Sequence, residues 1–96
     1  MSYAAFHYEV QGKVQGVFFR VYTSKEAERL KVVGWVQNTS SGHVEGEIQG
    51  QPDQVEEMKE WLKTRGSPGS RIDKCIITDE KSNLKELSYS SFETRR

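Results

Sequence analysis

From Phe6 to Gln11 apolar and polar residues alternate, with Phe6, Tyr8 and Val10 on one side and His7, Glu9 and Gln11 on the other. A period of two is that of a half-buried strand, and it predicts a first strand from about Phe6 to Lys13. Beyond Gly16 the period changes. Phe19, Thr23, Ala27 and Leu30 recur at steps of four, four and three, the apolar stripe of an amphipathic helix. That helix is expected from about Val21 to Lys31, with Glu26, Glu28, Arg29 and Lys31 on its solvated face. Gly34 breaks it. Trp35 to Thr39 reads as a second strand, and Thr39-Ser40-Ser41-Gly42 is turn material. His43 to Gln49 reads as a third strand, with Val44, Gly46 and Ile48 on one face and Glu45, Glu47 and Gln49 on the other. So short a connection implies an antiparallel hairpin.

A second helix opens at Gly50-Gln51-Pro52-Asp53. Proline suits the first helical position and aspartate the positive end of the helix dipole. Val55, Met58 and Leu62 form its stripe, Trp61 flanks it, and Gly66 with Pro68 stops it. Ile72 to Thr78 reads as a fourth strand. Its faces stay open, because Ile72 and Ile76 share one parity and Cys75 and Ile77 the other. Asp79 to Lys85 is expected to be a polar loop, and Leu87 to Glu93 to hold a short last strand with Tyr89 and Phe92. Met1 to Ala5 is expected to fray. The order is β-α-β-β-α-β with a short extra strand. It predicts an α+β, ferredoxin-like sandwich: an antiparallel sheet of four to five strands with two helices on one face. At 96 residues, residues 1–96 are expected to form a single domain around one core.

Fourteen basic and fourteen acidic residues cancel, which argues against a nucleic-acid or membrane-surface role. RNA-recognition motifs share this element order, but they need aromatic and basic residues on the open sheet face. Here that face carries Glu45, Glu47 and Gln49 beside Glu9. The single cysteine, Cys75, has no internal partner and is expected to be a small buried or half-buried side chain in a reducing compartment. Met1 to Val10 has no apolar signal region, and no apolar run approaches membrane-spanning length. A cytoplasmic monomer is therefore expected. Two histidines, His7 and His43, and one cysteine give no metal-site pattern, and no cofactor is expected.

The candidate chemistry lies between the first strand and the first helix, in Gly12-Lys13-Val14-Gln15-Gly16-Val17-Phe18-Phe19-Arg20. A glycine-bearing loop that runs into a helix start turns successive N–H groups inward and can cradle an anion. Arg20 falls in the first helical turn, where a cation opposes the helix dipole. That placement makes sense if an anion sits between them; the other reading is a tight connection with a surface arginine. It is not a Walker loop, since no Gly-Lys-Ser/Thr ends it. Asn38 closes the second strand just before the turn, where asparagine can simply start a turn.

The run GKVQGVFFR, with the asparagine of GWVQNTSSGHVEGEIQG eighteen positions beyond Arg20, resembles the acylphosphatase family. The resemblance extends from Tyr8 to about Phe92. It implies a ferredoxin-like fold with a five-stranded sheet and hydrolysis of acyl phosphates to a carboxylate and inorganic phosphate. Because backbone N–H groups and one guanidinium can position and stabilise the phosphoryl group, direct water attack with no metal and no phosphoenzyme is expected. By that resemblance Arg20 holds the phosphoryl group together with the backbone N–H groups of Gln15, Gly16, Val17, Phe18, Phe19 and Arg20. Asn38, by the same resemblance, orients the attacking water; Thr39 is expected from its place next to Asn38 to support the local turn. Inorganic phosphate is the implied product inhibitor and a small acyl phosphate the implied substrate. Family members often end in an arginine and a tyrosine that brace the loop. Arg95 matches the arginine, whereas Arg96 replaces the aromatic, which implies a weaker brace. The alternative is a non-catalytic, phosphate- or anion-binding ferredoxin-like module that kept the cradle.

Overall fold

The computed structural model describes residues 2–95. Seven elements follow one another: β1 (Tyr3–Lys13), α1 (Phe19–Leu30), β2 (Val33–Asn38), β3 (Val44–Gly50), α2 (Pro52–Thr64), β4 (Arg71–Leu84) and β5 (Phe92–Arg95). The strands form one sheet in the order β4-β1-β3-β2-β5. The two helices cover the face formed by Phe6, Tyr8, Val10, Val36, Val44 and Ile48, all of which are buried with Phe19, Ala27, Leu30, Val55, Met58, Trp61 and Leu62. The ferredoxin-like arrangement expected from the periodicity is the one observed. Both helical stripes are buried where the spacing places them: Phe19, Thr23, Ala27 and Leu30 on α1, and Val55, Met58, Trp61 and Leu62 on α2.

Several expectations change. α1 ends at Leu30, closed by left-handed Lys31, so Gly34 stands inside β2 rather than breaking the helix. β1 begins at Tyr3 rather than Phe6, because Ala4 and Ala5 pair with Gly50 and Gln49 and Ala5 is buried. The fraying expected for Ala4 and Ala5 is thus replaced by pairing; Met1 lies outside the described residues. α1 begins at Phe19, directly after the loop, rather than at Val21. β4 runs on to Leu84 through the stretch read as a polar loop, with Lys81 paired to Ala5 and Leu84 to Tyr3. This edge ribbon is exposed on both faces from Thr78 to Asn83, so it has no reason to alternate, and Asp79 and Asn83 sit at φ 51° and 59°. Finally, the last strand covers only Phe92–Arg95 and runs parallel to β2, so the sheet is mixed rather than antiparallel.

That last change follows from connectivity. β4 and β5 occupy opposite edges of the sheet, and the segment between them lies against the outer sheet face. Ser88 N–H donates to Gln49 Oε1 at 2.7 Å. Trp35 Nε1 donates to the Tyr89 hydroxyl at 3.1 Å, which donates in turn to Glu47 at 2.9 Å. These ties hold Ser88 and Tyr89 against the outer face, where Gln49 is buried, and Gly34 N–H donates to the Ser91 carbonyl at 3.2 Å where β5 begins.

The unresolved faces of β4 also find their cause. Gly12 pairs with Ile72 but Gln11 with Lys74, so Asp73 is an extra residue that reverses the parity of the strand. Ile72, Cys75 and Ile77 therefore all pack against the core, and partial burial raises the Cys75 thiol pKa. Gly12 is required there, since a Cβ on it would collide with the Arg71 carbonyl. A second close approach lies mid-sheet. The hydroxyl of fully buried Tyr8 crosses Gly46 to donate to the Trp35 carbonyl at 3.1 Å.

We expect Gly46→Ala to lower stability by about 2 kcal/mol or more, because the new Cβ meets both the Trp35 carbonyl and the Tyr8 hydroxyl. Urea unfolding followed by tryptophan fluorescence would measure it; an unchanged midpoint would contradict this packing.

Candidate active site

Topology brings three chain segments to one edge of the sheet. β1 and β2 are both antiparallel to β3, hence parallel to each other, and β5 is parallel to β2. Their C-terminal ends therefore share an edge. Val44 is paired with Val10 on one side and with Asn38 on the other. Asn38 thus sits two strand spacings from β1, roughly 10 Å, and Gln37 pairs with Arg95. α1 begins at the same edge.

The loop from Val14 to Phe18 makes its turn with two left-handed residues, Gly16 at φ 76° and Phe18 at φ 57°. Among the described residues, Gln15, Gly16, Val17 and Phe18 donate no backbone hydrogen bond to the protein. The first helical bond runs from Tyr22 N–H to the Phe18 carbonyl at 3.1 Å, so Phe19, Arg20 and Val21 also keep free N–H groups. α1 has no acidic residue in its first turn and no side chain capping it. Its positive end is thus left open beside Arg20.

A cavity of about 300 Å³ lies here, lined by Val14, Gln15, Gly16, Phe18, Phe19, Arg20, Val21 and Asn38. Arg20 is the only charged residue among them. Its Nη1 donates to the Arg95 carbonyl at 2.7 Å, which fixes the guanidinium at the end of β5 while leaving its other N–H groups available. The Arg95 guanidinium stacks over Trp35 at 4.4 Å from the ring centroid, on the outer face. The side chain of Arg95 therefore anchors the strand, and its backbone holds Arg20. Arg96 lies outside the described residues. The Asn38 carboxamide makes no hydrogen bond to another described residue, and it reaches the same cavity as Arg20.

Three hydrogen bonds from two side chains hold the loop. Gln15 Nε2 donates to the carbonyls of Thr39 and His43 at 3.0 and 2.9 Å, joining the cradle to the turn that follows Asn38. Thr39 closes that turn: its N–H bonds to the His43 carbonyl at 2.9 Å and its hydroxyl accepts from His43 N–H at 3.1 Å. On the other side the buried Ser67, just past α2, donates from its hydroxyl to the Val17 carbonyl at 2.9 Å. The Gln15 side chain and Ser67 were not among the residues expected from sequence. Gln15 was expected to act through its backbone alone, and nothing in the pattern around Ser67 ties it to residue 17.

Every residue expected at the phosphoryl site, from Gln15 to Arg20 together with Asn38, stands at this edge, with Thr39 and Arg95 immediately behind. No group of three or more His, Cys, Asp or Glu side chains among the described residues is placed to hold a metal ion. His43 instead pairs with Glu9 at 2.7 Å on the outer face, away from the helices.

The family model described as Acylphosphatase matches residues 6–94. The chain is 56% identical over 86 residues to acylphosphatase-1 of Homo sapiens, covering 90% of this chain and 86% of that one. It is 54% identical over 88 residues to acylphosphatase-2 of Gallus gallus, covering 92% and 84%. Among solved structures, an acylphosphatase from Coxiella burnetii superposes with a TM-score of 0.85 at 38% identity, over 97% of this chain and 93% of that one.

Proposed function

The chain belongs to the acylphosphatase family and hydrolyses the carboxyl-phosphate bond of acyl phosphates, and we propose that it does so by direct attack of water on a phosphoryl group held between the loop N–H groups and Arg20. The observation that carries this reading is the convergence of Arg20, the loop with its free N–H groups and Asn38 on one cavity whose only charge is that arginine. The N–H groups of Gln15, Gly16, Val17, Phe18, Phe19 and Arg20 bind the phosphoryl oxygens, and the Arg20 guanidinium adds charge-assisted donors. A loose phosphoryl-transfer transition state asks mainly for positioning and for donors around the equatorial oxygens, and this set supplies both.

Asn38 holds the water by its carboxamide. An amide is a poor base, so the phosphoryl oxygens take the proton themselves. Water oxygen bonds to phosphorus, the bond from phosphorus to the carboxyl oxygen breaks, and its electron pair leaves with the carboxylate. The conjugate acid of that leaving group has a pKa near about 4, so no general acid is needed. Carboxylate and inorganic phosphate are the products. In this reading phosphate, which keeps the recognised head group, inhibits competitively. The chain acts as one domain and as a monomer in the cytoplasm. No helix among the described residues is long and apolar enough to cross a membrane. A pure anion-binding module has no use for an unpaired carboxamide facing the cradle, and turnover of benzoyl phosphate above its spontaneous rate separates the two readings.

Arg20 and Asn38 have separable roles. Arg20→Ala is expected to lose phosphate binding and turnover together, by about 3 kcal/mol or more in transition-state stabilisation. Asn38→Ala should keep the inhibition constant for phosphate and lose about 10²- to 10³-fold in kcat. Steady-state kinetics with phosphate as inhibitor checks both; a raised KM with kcat spared in Asn38→Ala would remove its water-holding role.

Gln15 is a positioning residue in the same scheme, since its side chain ties the cradle to Asn38's turn. Gln15→Leu should lower kcat roughly tenfold in the parent protein, as for the loss of aim at one donor, and change little in an Asn38→Ala background. A loss of equal size in both backgrounds would show that Gln15 acts on overall stability instead. EDTA is expected to leave the rate unchanged; a chelator-sensitive rate would overturn the metal-free step.

A further inference from the structure

Among the described residues the exposed large apolar side chains are Phe18, Val21 and Tyr22, at 73%, 45% and 38% exposure. They are neighbours. Phe18 immediately precedes α1, and positions three and four further on lie on its side of the first helical turn. Phe18 and Val21 both line the phosphoryl cavity. Phe18 also carries backbone strain. Its φ of 57° lies in the left-handed region, where a residue other than glycine or asparagine is strained. Folding draws nothing from the ring in return, because Phe18 lies outside the core cluster. A strained, water-exposed phenyl ring at the mouth of a charged cavity has its partner outside the chain.

We propose that the side chains of Phe18 and Val21, with Tyr22 beyond them, form a seat for an apolar, and above all aromatic, acyl group of the substrate. The inference rests on the phosphoryl group lying in the cradle. Displacement at phosphorus needs the attacking water and the leaving carboxylate on opposite sides. Asn38, on the β2 wall, takes the water side, so the acyl group leaves along the wall built by the loop and the start of α1. The carboxyl carbon is one atom from the bridging oxygen, and its substituent therefore lies within reach of the rim. A phenyl or long alkyl substituent covers Phe18 and Val21 and withdraws apolar surface from water on both partners. An acetyl or carbamoyl group is too small to reach both. Tyr22 continues the surface, with the Lys25 ammonium 5.3 Å from its ring centroid.

The test is a ratio: kcat/KM for benzoyl phosphate divided by that for acetyl phosphate, so that any disturbance of the cradle common to both cancels. Phe18→Asn keeps a residue that tolerates the left-handed backbone. It is expected to lower the ratio about tenfold, the order of one aromatic contact, with the loss mainly in KM because the ring meets the acyl group in both ground and transition states. Phe18→Tyr should preserve the ratio. Val21→Ser, one helical turn on, should lower it about threefold and serves if the Phe18 variant fails to fold. A ratio within about twofold of the parent in both Phe18→Asn and Val21→Ser would overturn the seat and leave the cradle reading standing. A parent protein that neither hydrolyses acetyl phosphate nor binds inorganic phosphate would overturn the cradle reading, and the seat with it.

Discussion

The site depends on free backbone donors in a loop that cannot satisfy them internally. Left-handed conformations at Gly16 and Phe18 turn the chain between β1 and α1 so that its N–H groups join neither the ladder nor the helix. Unpaired donors are costly to bury, and a mobile loop would relax to pair them or give them to water. Here the clasps come from distant parts of the chain. Gln15 bonds to the carbonyls of Thr39 and His43, Ser67 to that of Val17, and Arg20 to that of Arg95. Donors fixed before the ligand arrives need little reorganisation in the reaction, the condition under which electrostatic stabilisation is strongest. The proposed chemistry is consistent with this economy of parts: the substrate supplies a good leaving group and its own proton acceptor, and the protein supplies direction.

The sheet makes this arrangement possible. Because β1, β2 and β5 run in the same sense, with β3 antiparallel between the first two, the loop, Asn38 and Arg95 meet at one edge. The register is held mid-sheet by packing that leaves no slack, since Tyr8 crosses Gly46 to reach Trp35. Behind Arg20, the short parallel strand β5 is secured from the outer face by Arg95 stacked on Trp35 and by Tyr89 bonded to Trp35 and Glu47. A residue far from the cavity, such as Trp35, thereby bears on the guanidinium through one strand.

Much of this was legible in the residues because the core is one-sided. Strict alternation in β1 and β3 and four-residue steps in α1 report burial on a single face, and the burial follows them. Legibility failed where burial was not one-sided. The exposed ribbon from Thr78 to Leu84 has no inner face to mark, and the bulge at Asp73 reverses parity within one strand. β5 owes its direction to the crossing from β4 on the opposite edge, tied down at Ser88 and Tyr89, rather than to any local propensity. At the site, Arg20 and Asn38 could be picked out by motif spacing, since each is an unusual residue for its local structure. The Gln15 side chain and Ser67 could not, because a carboxamide or hydroxyl aimed at a carbonyl more than twenty residues away leaves no periodic trace.

The central claim is that main-chain donors from Gln15 to Arg20 grip the phosphoryl group. A titration with inorganic phosphate followed by ¹H–¹⁵N correlation spectra tests it most directly. The amide resonances of Gln15 through Arg20 should move together along one binding curve, with a dissociation constant equal to the kinetic inhibition constant, while those of β4 stay still. Phosphate that inhibits turnover while these amides remain unmoved would contradict the account.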